Sequence, residues 1–112
     1  MIFAVNITIS VRPVVVRNPS GQVVNISNTI TISCEINGIP NPTITWLKDN
    51  QTVDSSKYTT TSIGMSELSN LTLVNVTISD GGKYQCKGEN AAGIIYTSEA
   101  DLIIHCKYGI MR

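Results

Sequence analysis

Charge is scarce in this chain. Only 14% of its 112 residues are Asp, Glu, Lys or Arg, against about 25% in an ordinary globular domain. Eight acidic and eight basic side chains cancel, so no cationic excess exists to neutralise phosphates and a nucleic-acid partner is not expected. A basic amphipathic segment suited to an anionic membrane surface is missing as well. Apolar runs are short, Val14-Val15-Val16 being typical, far below the ~18 residues of a membrane-spanning helix. Direct membrane insertion by this segment is therefore not expected. The opening Met1-Ile2-Phe3-Ala4-Val5 lacks the charged start and apolar length of a signal peptide, so a secreted form would take its signal from outside this sequence.

Helical periodicity is missing too. No stretch repeats apolar residues at i, i+3, i+4 and i+7 over three turns. What is present has a period of two. Thr29 to Ile36 alternates without a break and would turn Ile30, Ile32, Cys34 and Ile36 to one face. Thr43-Ile44-Thr45-Trp46, Asn70-Leu71-Thr72-Leu73, Lys83-Tyr84-Gln85-Cys86 and the run from Ala100 to His105 repeat the pattern. Turn signals separate these strands: Pro19-Ser20-Gly21, Asn37 to Pro42, Lys48-Asp49-Asn50, Ser79 to Gly82 and Asn90-Ala91-Ala92-Gly93. Short alternating strands at such spacing predict an all-β sandwich or barrel. The length suits one domain.

Three cysteines and one tryptophan narrow the choice. Cys34 and Cys86 fall on inward positions, and Trp46 lies inward on a strand between them. Two packed sheets, each giving one Cys to the interior with an indole against the bridge, would use residues placed like these. Closing the loop from residue 34 to 86 would contribute about 4 kcal/mol in the chain-entropy model. Two buried free thiols are the alternative.

These residues carry a family likeness. Asp80-Gly81-Gly82-Lys83-Tyr84-Gln85-Cys86 fits a D-x-G-x-Y-x-C signature, and Cys34 to Pro42 followed by Ile44-Thr45-Trp46 fits C-x-x-x-G-x-P-x-P-x-I-x-W. Asn90-Ala91-Ala92-Gly93 is similar to an N-x-x-G turn. Together they resemble the immunoglobulin superfamily, in particular its intermediate (I-set) domains, over about Arg12 to His105. The resemblance implies an all-β, immunoglobulin-like sandwich of two antiparallel sheets with Greek-key topology and an inter-sheet disulfide. It gives Tyr84 the tyrosine-corner role, its hydroxyl returning to upstream backbone. It also sets Asp80 at that corner, with Lys57 as the local cation it would pair with. The expected division is an N-terminal strand or linker over 1–11, the domain over 12–105, and a C-terminal linker or tail over 106–112, as for one bead of a string.

Outward positions, among them Thr31, Ser33, Thr45, Asn70, Thr72, Gln85 and Lys87, are rich in hydroxyls and amides. N-x-[S/T] acceptor sequences begin at Asn6, Asn25, Asn50, Asn70 and Asn75, whereas composition alone would give about two. All five fall on outward strand positions, turns or termini, where a bulky glycan fits. With the cysteine pair, they point to an extracellular location. Cys106 is the odd cysteine, expected on a linker or in an intermolecular bridge.

Catalysis finds little support. His105 is the only histidine and stands beside Cys106, but neighbours on a strand diverge to opposite faces. The cysteines and histidine lack metal-ligand spacing, so no catalytic, cofactor or metal residue is expected. The family resemblance implies a cell-surface adhesion molecule or receptor, including receptor tyrosine kinases. The partner would be a protein: a second copy in a homodimer, another cell-surface or secreted protein, or a neighbouring module. Leu47, Ile94, Ile95 and Ile103 are expected exposed contact residues, with Tyr96 as an aromatic anchor. The strands of Trp46, Cys86 and Ile95 would form the self-associating face, with Asn50, Asn70 and Asn75 on or near other strands. A spacer domain of a giant intracellular muscle-type protein is the alternative.

Overall fold

The computed structural model of the chain describes residues 9–106 and the backbone of Gly109–Met111. Acceptor Asn6 and most of the expected N-terminal strand or linker over 1–11 lie outside the described residues.

Among the described residues eleven strands follow one another: β1 (Val11–Arg17), β2 (Gln22–Asn25), β3 (Ile30–Ile39), β4 (Thr43–Lys48), β5 (Gln51–Thr52), β6 (Tyr58–Ile63), β7 (Ser66–Leu73), β8 (Gly82–Asn90), β9 (Gly93–Tyr96), β10 (Ala100–Cys106) and β11 (Gly109–Met111). They build two sheets. The first has the order β1-β3-β7-β6, and the second β11-β10-β8-β4-β5, with β2 on β10 and β9 on β8.

Alternation explains the layers. In β3, Ile30, Ile32, Cys34 and Ile36 turn inward, while β4 contributes Ile44 and Trp46, β7 Leu71 and Leu73, β8 Tyr84 and Cys86, and β10 Leu102 and Ile104. β-Branched side chains suit such a half-buried pleated surface. Burying each large one fully contributes about 1.5–3 kcal/mol.

The second sheet departs from the antiparallel expectation, because β2 pairs with β10 in parallel, Gln22 opposite Leu102 through Asn25 opposite His105. The chain leaves β3 after Arg17 and crosses to the other sheet without reversing direction. Gly21 permits the crossing: a Cβ there would stand 3.0 Å from the Asp101 carbonyl oxygen. The Asn18 side-chain oxygen accepts from the Ser98 amide at 2.9 Å and ties the crossover down. Pro13 lies buried within β1. It is tolerated because β1 is an edge strand whose register shifts between Val11 and Val14.

The sandwich has two ends. At the upper end β1 begins beside the 38–42 loop and the Asn90–Gly93 turn. At the lower end β10 finishes beside Asn25 and the Ile78–Asp80 3-10 turn. The chain enters at one end and leaves at the other.

Candidate functional site

The interior is organised around one bridge. Cys34 and Cys86 form a disulfide with their Cα atoms 6.6 Å apart, and Trp46, wholly buried, sits opposite Cys86 in the β4–β8 register. The indole N–H is buried and must find an acceptor. It donates to Ser69 Oγ at 2.9 Å, and Ser69 stands opposite Cys34 on β7. The Ser69 hydroxyl donates onward to the Thr59 carbonyl at 2.9 Å and accepts from Thr60 Oγ1 at 3.2 Å. Sequence reasoning missed Ser69. Its signal was a serine where the alternation of β7 calls for an apolar side chain.

Tyr84 closes the lower corner, its hydroxyl donating to the Asp80 carbonyl at 2.5 Å. Burial pushes its phenol well above the usual tyrosine range, and the nearby carboxylates of Asp80 and Asp49 add to this. Asp80 does not use Lys57 as its partner, contrary to the sequence expectation. No Lys57–Asp80 ion pair forms among the described residues, where Lys87–Glu89 is the salt bridge present. Instead the Asp80 carboxylate accepts from the Thr77 amide at 2.8 Å in a capping box. Gly82 is required by close approach: a Cβ would meet Asp49 Oδ2 at 2.6 Å, and that aspartate accepts from the Lys83 amide.

At the upper end Asn90 binds three segments. Its Nδ2 donates to the Val11 carbonyl at 2.8 Å and to the Pro40 carbonyl at 3.0 Å, while its Oδ1 accepts from the Ala92 amide at 2.8 Å. This gives the N-x-x-G turn a physical reason. It also explains Gly38, where a Cβ would stand 2.8 Å from the Asn90 nitrogen.

Two outer faces result. On β3 and β7 the polar side chains bond one another across the register: Thr31 with Thr72 at 3.0 Å, Ser33 to Asn70 at 2.5 Å, and Ser66 to Asn37. On β4, β8 and β9 the outer face mixes apolar and charged groups. Tyr96 lies opposite Lys87 and Ile94 opposite Glu89, with Tyr96 52% and Ile94 46% exposed.

The remaining expected contact residues do not stand out in the same way. Ile95 was expected exposed but is half-buried against the core. Strand alternation puts it inward, opposite Gly88, whose missing side chain leaves room for Ile36. Leu47 and Ile103 are half-buried too, on strands flanked by neighbours on both sides. Thr97 was also missed. It occupies the break between β9 and β10, where its Oγ1 accepts from the Cys86 amide at 2.9 Å and its own amide donates to the Cys86 carbonyl.

The described acceptor asparagines avoid the centre of the β4–β8–β9 face. Asn25, Asn50 and Asn75 are exposed at the lower end, and Asn70 lies on the other sheet. Asn50 lies in the tight turn from β4 to β5, next to β5, at the lower corner of this same sheet. His105 is exposed and Cys106 is a half-buried free thiol. Among the described residues no group of three or more His, Cys, Asp or Glu is placed to hold a metal ion. No helix among them is long and apolar enough to cross a membrane.

Comparison with known proteins agrees with this architecture. The family model described as immunoglobulin domain matches residues 12–90. Human hemicentin-1 is 31% identical over 109 residues, covering 95% of this chain but 2% of that protein. A titin homolog of Caenorhabditis elegans is 39% identical over 88 residues, 76% of this chain and, to the nearest per cent, 0% of the relative. Human vascular endothelial growth factor receptor 1 is 36% identical over 86 residues, 77% of this chain and 6% of the receptor. The chain thus spans only a small part of each relative. Among solved structures, a chimeric titin Z1Z2 superposes with a TM-score of 0.75 at 20% identity, covering 88% of this chain and 99% of that one. Matched in its motifs, its bridge and its two-sheet topology, the chain belongs to the immunoglobulin-domain family.

Proposed function

We propose that this chain is an extracellular recognition module of a cell-surface adhesion molecule or receptor, binding a protein partner through the outer face of β4, β8 and β9. The observation that carries this reading is the placement of Ile94 and Tyr96. They form an exposed apolar pair beside Lys87 and Glu89, on a face whose centre holds no glycan acceptor. Tyrosine is among the residues enriched where protein interfaces are anchored. The closed Cys34–Cys86 bridge supports an oxidising compartment. Relatives named as receptors agree with the role. Neighbouring modules would extend the chain at both ends, and the partner on the face is either a second copy or another surface protein.

A spacer in a muscle-type protein is the second reading, favoured by the likeness to the titin homolog. Mass spectrometry of the protein from its natural source separates the two. Glycans together with a Cys34–Cys86 bridge support recognition outside the cell. Reduced cysteines and bare asparagines support the spacer.

A further inference from the structure

One acceptor asparagine differs from the others in its surroundings. Asn25, Asn50 and Asn75 stand exposed in turns or at a strand end, the last two with positive φ. Asn70 is half-buried in the middle of β7, opposite Thr59 on β6 and Ser33 on β3. It lines a groove of about 450 Å³ together with Ser56, Tyr58, Thr59, Thr72 and Asp80. That volume is within the range of small-ligand sites, ~300–1,000 Å³.

We infer that Asn70 carries an N-linked glycan whose first sugar lies in this groove rather than in solvent. The inference rests on the extracellular reading above. Two features support it. The Asn70 oxygen is already engaged, accepting from Ser33 Oγ on the β3 side, so the nitrogen is the atom left over. An N-linked sugar needs that same division, because substitution at nitrogen leaves the oxygen as an acceptor. The groove offers hydroxyls from Ser56, Thr59 and Thr72 for sugar hydroxyls.

In the attachment step a polyprenyl-pyrophosphate oligosaccharide is the donor. A bond forms between sugar C1 and Asn70 Nδ2, and the bond from C1 to the pyrophosphate oxygen breaks. One amide proton leaves as the pyrophosphate departs. The docked sugar would stiffen the β6–β7 edge of the first sheet and keep the face opposite the recognition surface covered.

The test uses the 112-residue chain secreted from a eukaryotic host, with site-resolved glycopeptide mass spectrometry. Asn70 is expected to be occupied. Peptide-N-glycosidase should release its glycan from native protein roughly tenfold more slowly than the Asn75 glycan, since a docked sugar must first open. The two rates should become equal once the protein is reduced and unfolded. In the double variant Ser56→Ala, Thr59→Ala, which removes two exposed hydroxyls, native release at Asn70 should speed up while the urea midpoint stays put. Equal native rates at Asn70 and Asn75, or no response to the double variant, overturn the inference. Glycans at Asn25, Asn50 or Asn75 with none at Asn70 overturn it too and leave the extracellular reading standing. No glycan at any acceptor overturns it as well, while the extracellular reading is decided separately, on protein from its natural source.

Discussion

The two outer faces of the sandwich use similar residue types to opposite ends. On β3 and β7 three pairs of polar side chains, Thr31–Thr72, Ser33–Asn70 and Asn37–Ser66, meet directly across the register, so much of the face is hydrogen-bonded to itself. On β4, β8 and β9 an exposed tyrosine and isoleucine stand opposite a lysine and a glutamate that pair only at 3.7 Å. Cross-strand hydroxyl and amide pairs each contribute roughly 0.2–1 kcal/mol to a sheet. A loose surface ion pair contributes about the same or nothing. The first face therefore contributes to stability, while the second leaves Tyr96 and Ile94 exposed, as the proposed recognition role requires.

Both faces depend on the shared interior, and the largest effect lies there. Replacing Cys34 and Cys86 together by Ala should lower unfolding free energy by about 4 kcal/mol, read from urea denaturation. Such a loss would unsettle both faces together. A change that disturbed only the β4–β8–β9 face would contradict a common support.

Ser69→Ala is next. It leaves the buried Trp46 N–H without an acceptor, which costs about 1–3 kcal/mol, and tryptophan fluorescence during denaturation would register it. Ser69→Thr keeps the hydroxyl and should recover part of the loss.

The smallest effects separate the faces most cleanly. Ser33→Ala should cost about 0.5–1.5 kcal/mol through its lost hydrogen bond and leave association unchanged. Tyr96→Ala should change stability by less than about 0.5 kcal/mol yet weaken self-association in sedimentation. An unmodified chain that stays monomeric at high concentration would remove a second copy from the candidate partners. If Ser33→Ala rather than Tyr96→Ala disturbed association, the assignment of faces would be reversed.

Much of this arrangement was legible in the residues. Period-two alternation placed Ile30, Ile32, Cys34 and Ile36 inward, because a pleated strand allows no other reading of such a pattern. The corner of Tyr84 and the turn of Asn90 were implied by the family resemblance. What escaped were features that depend on which strands become neighbours. Ile95 reads as a surface residue until β9 is paired with β8 in a register that points it at Ile36. Lys57 reads as a partner for Asp80 until the capping box engages that carboxylate locally. Ser69 and Thr97 gain meaning only from groups far along the chain, an indole on β4 and the Cys86 backbone. The parallel pairing of β2 was likewise hidden, since four residues carry no sign of their partner.

Asn90 has one further consequence, concerning chemical ageing. Its carboxamide NH2 ties the entry strand and the loop after β3 to the end of β8, while its oxygen closes the β8–β9 turn. Hydrolytic deamidation there would replace a nitrogen that donates to two carbonyls with a charged oxygen that repels both. One slow reaction at one atom would turn a clasp into a wedge and loosen the end of the domain where a preceding module would attach.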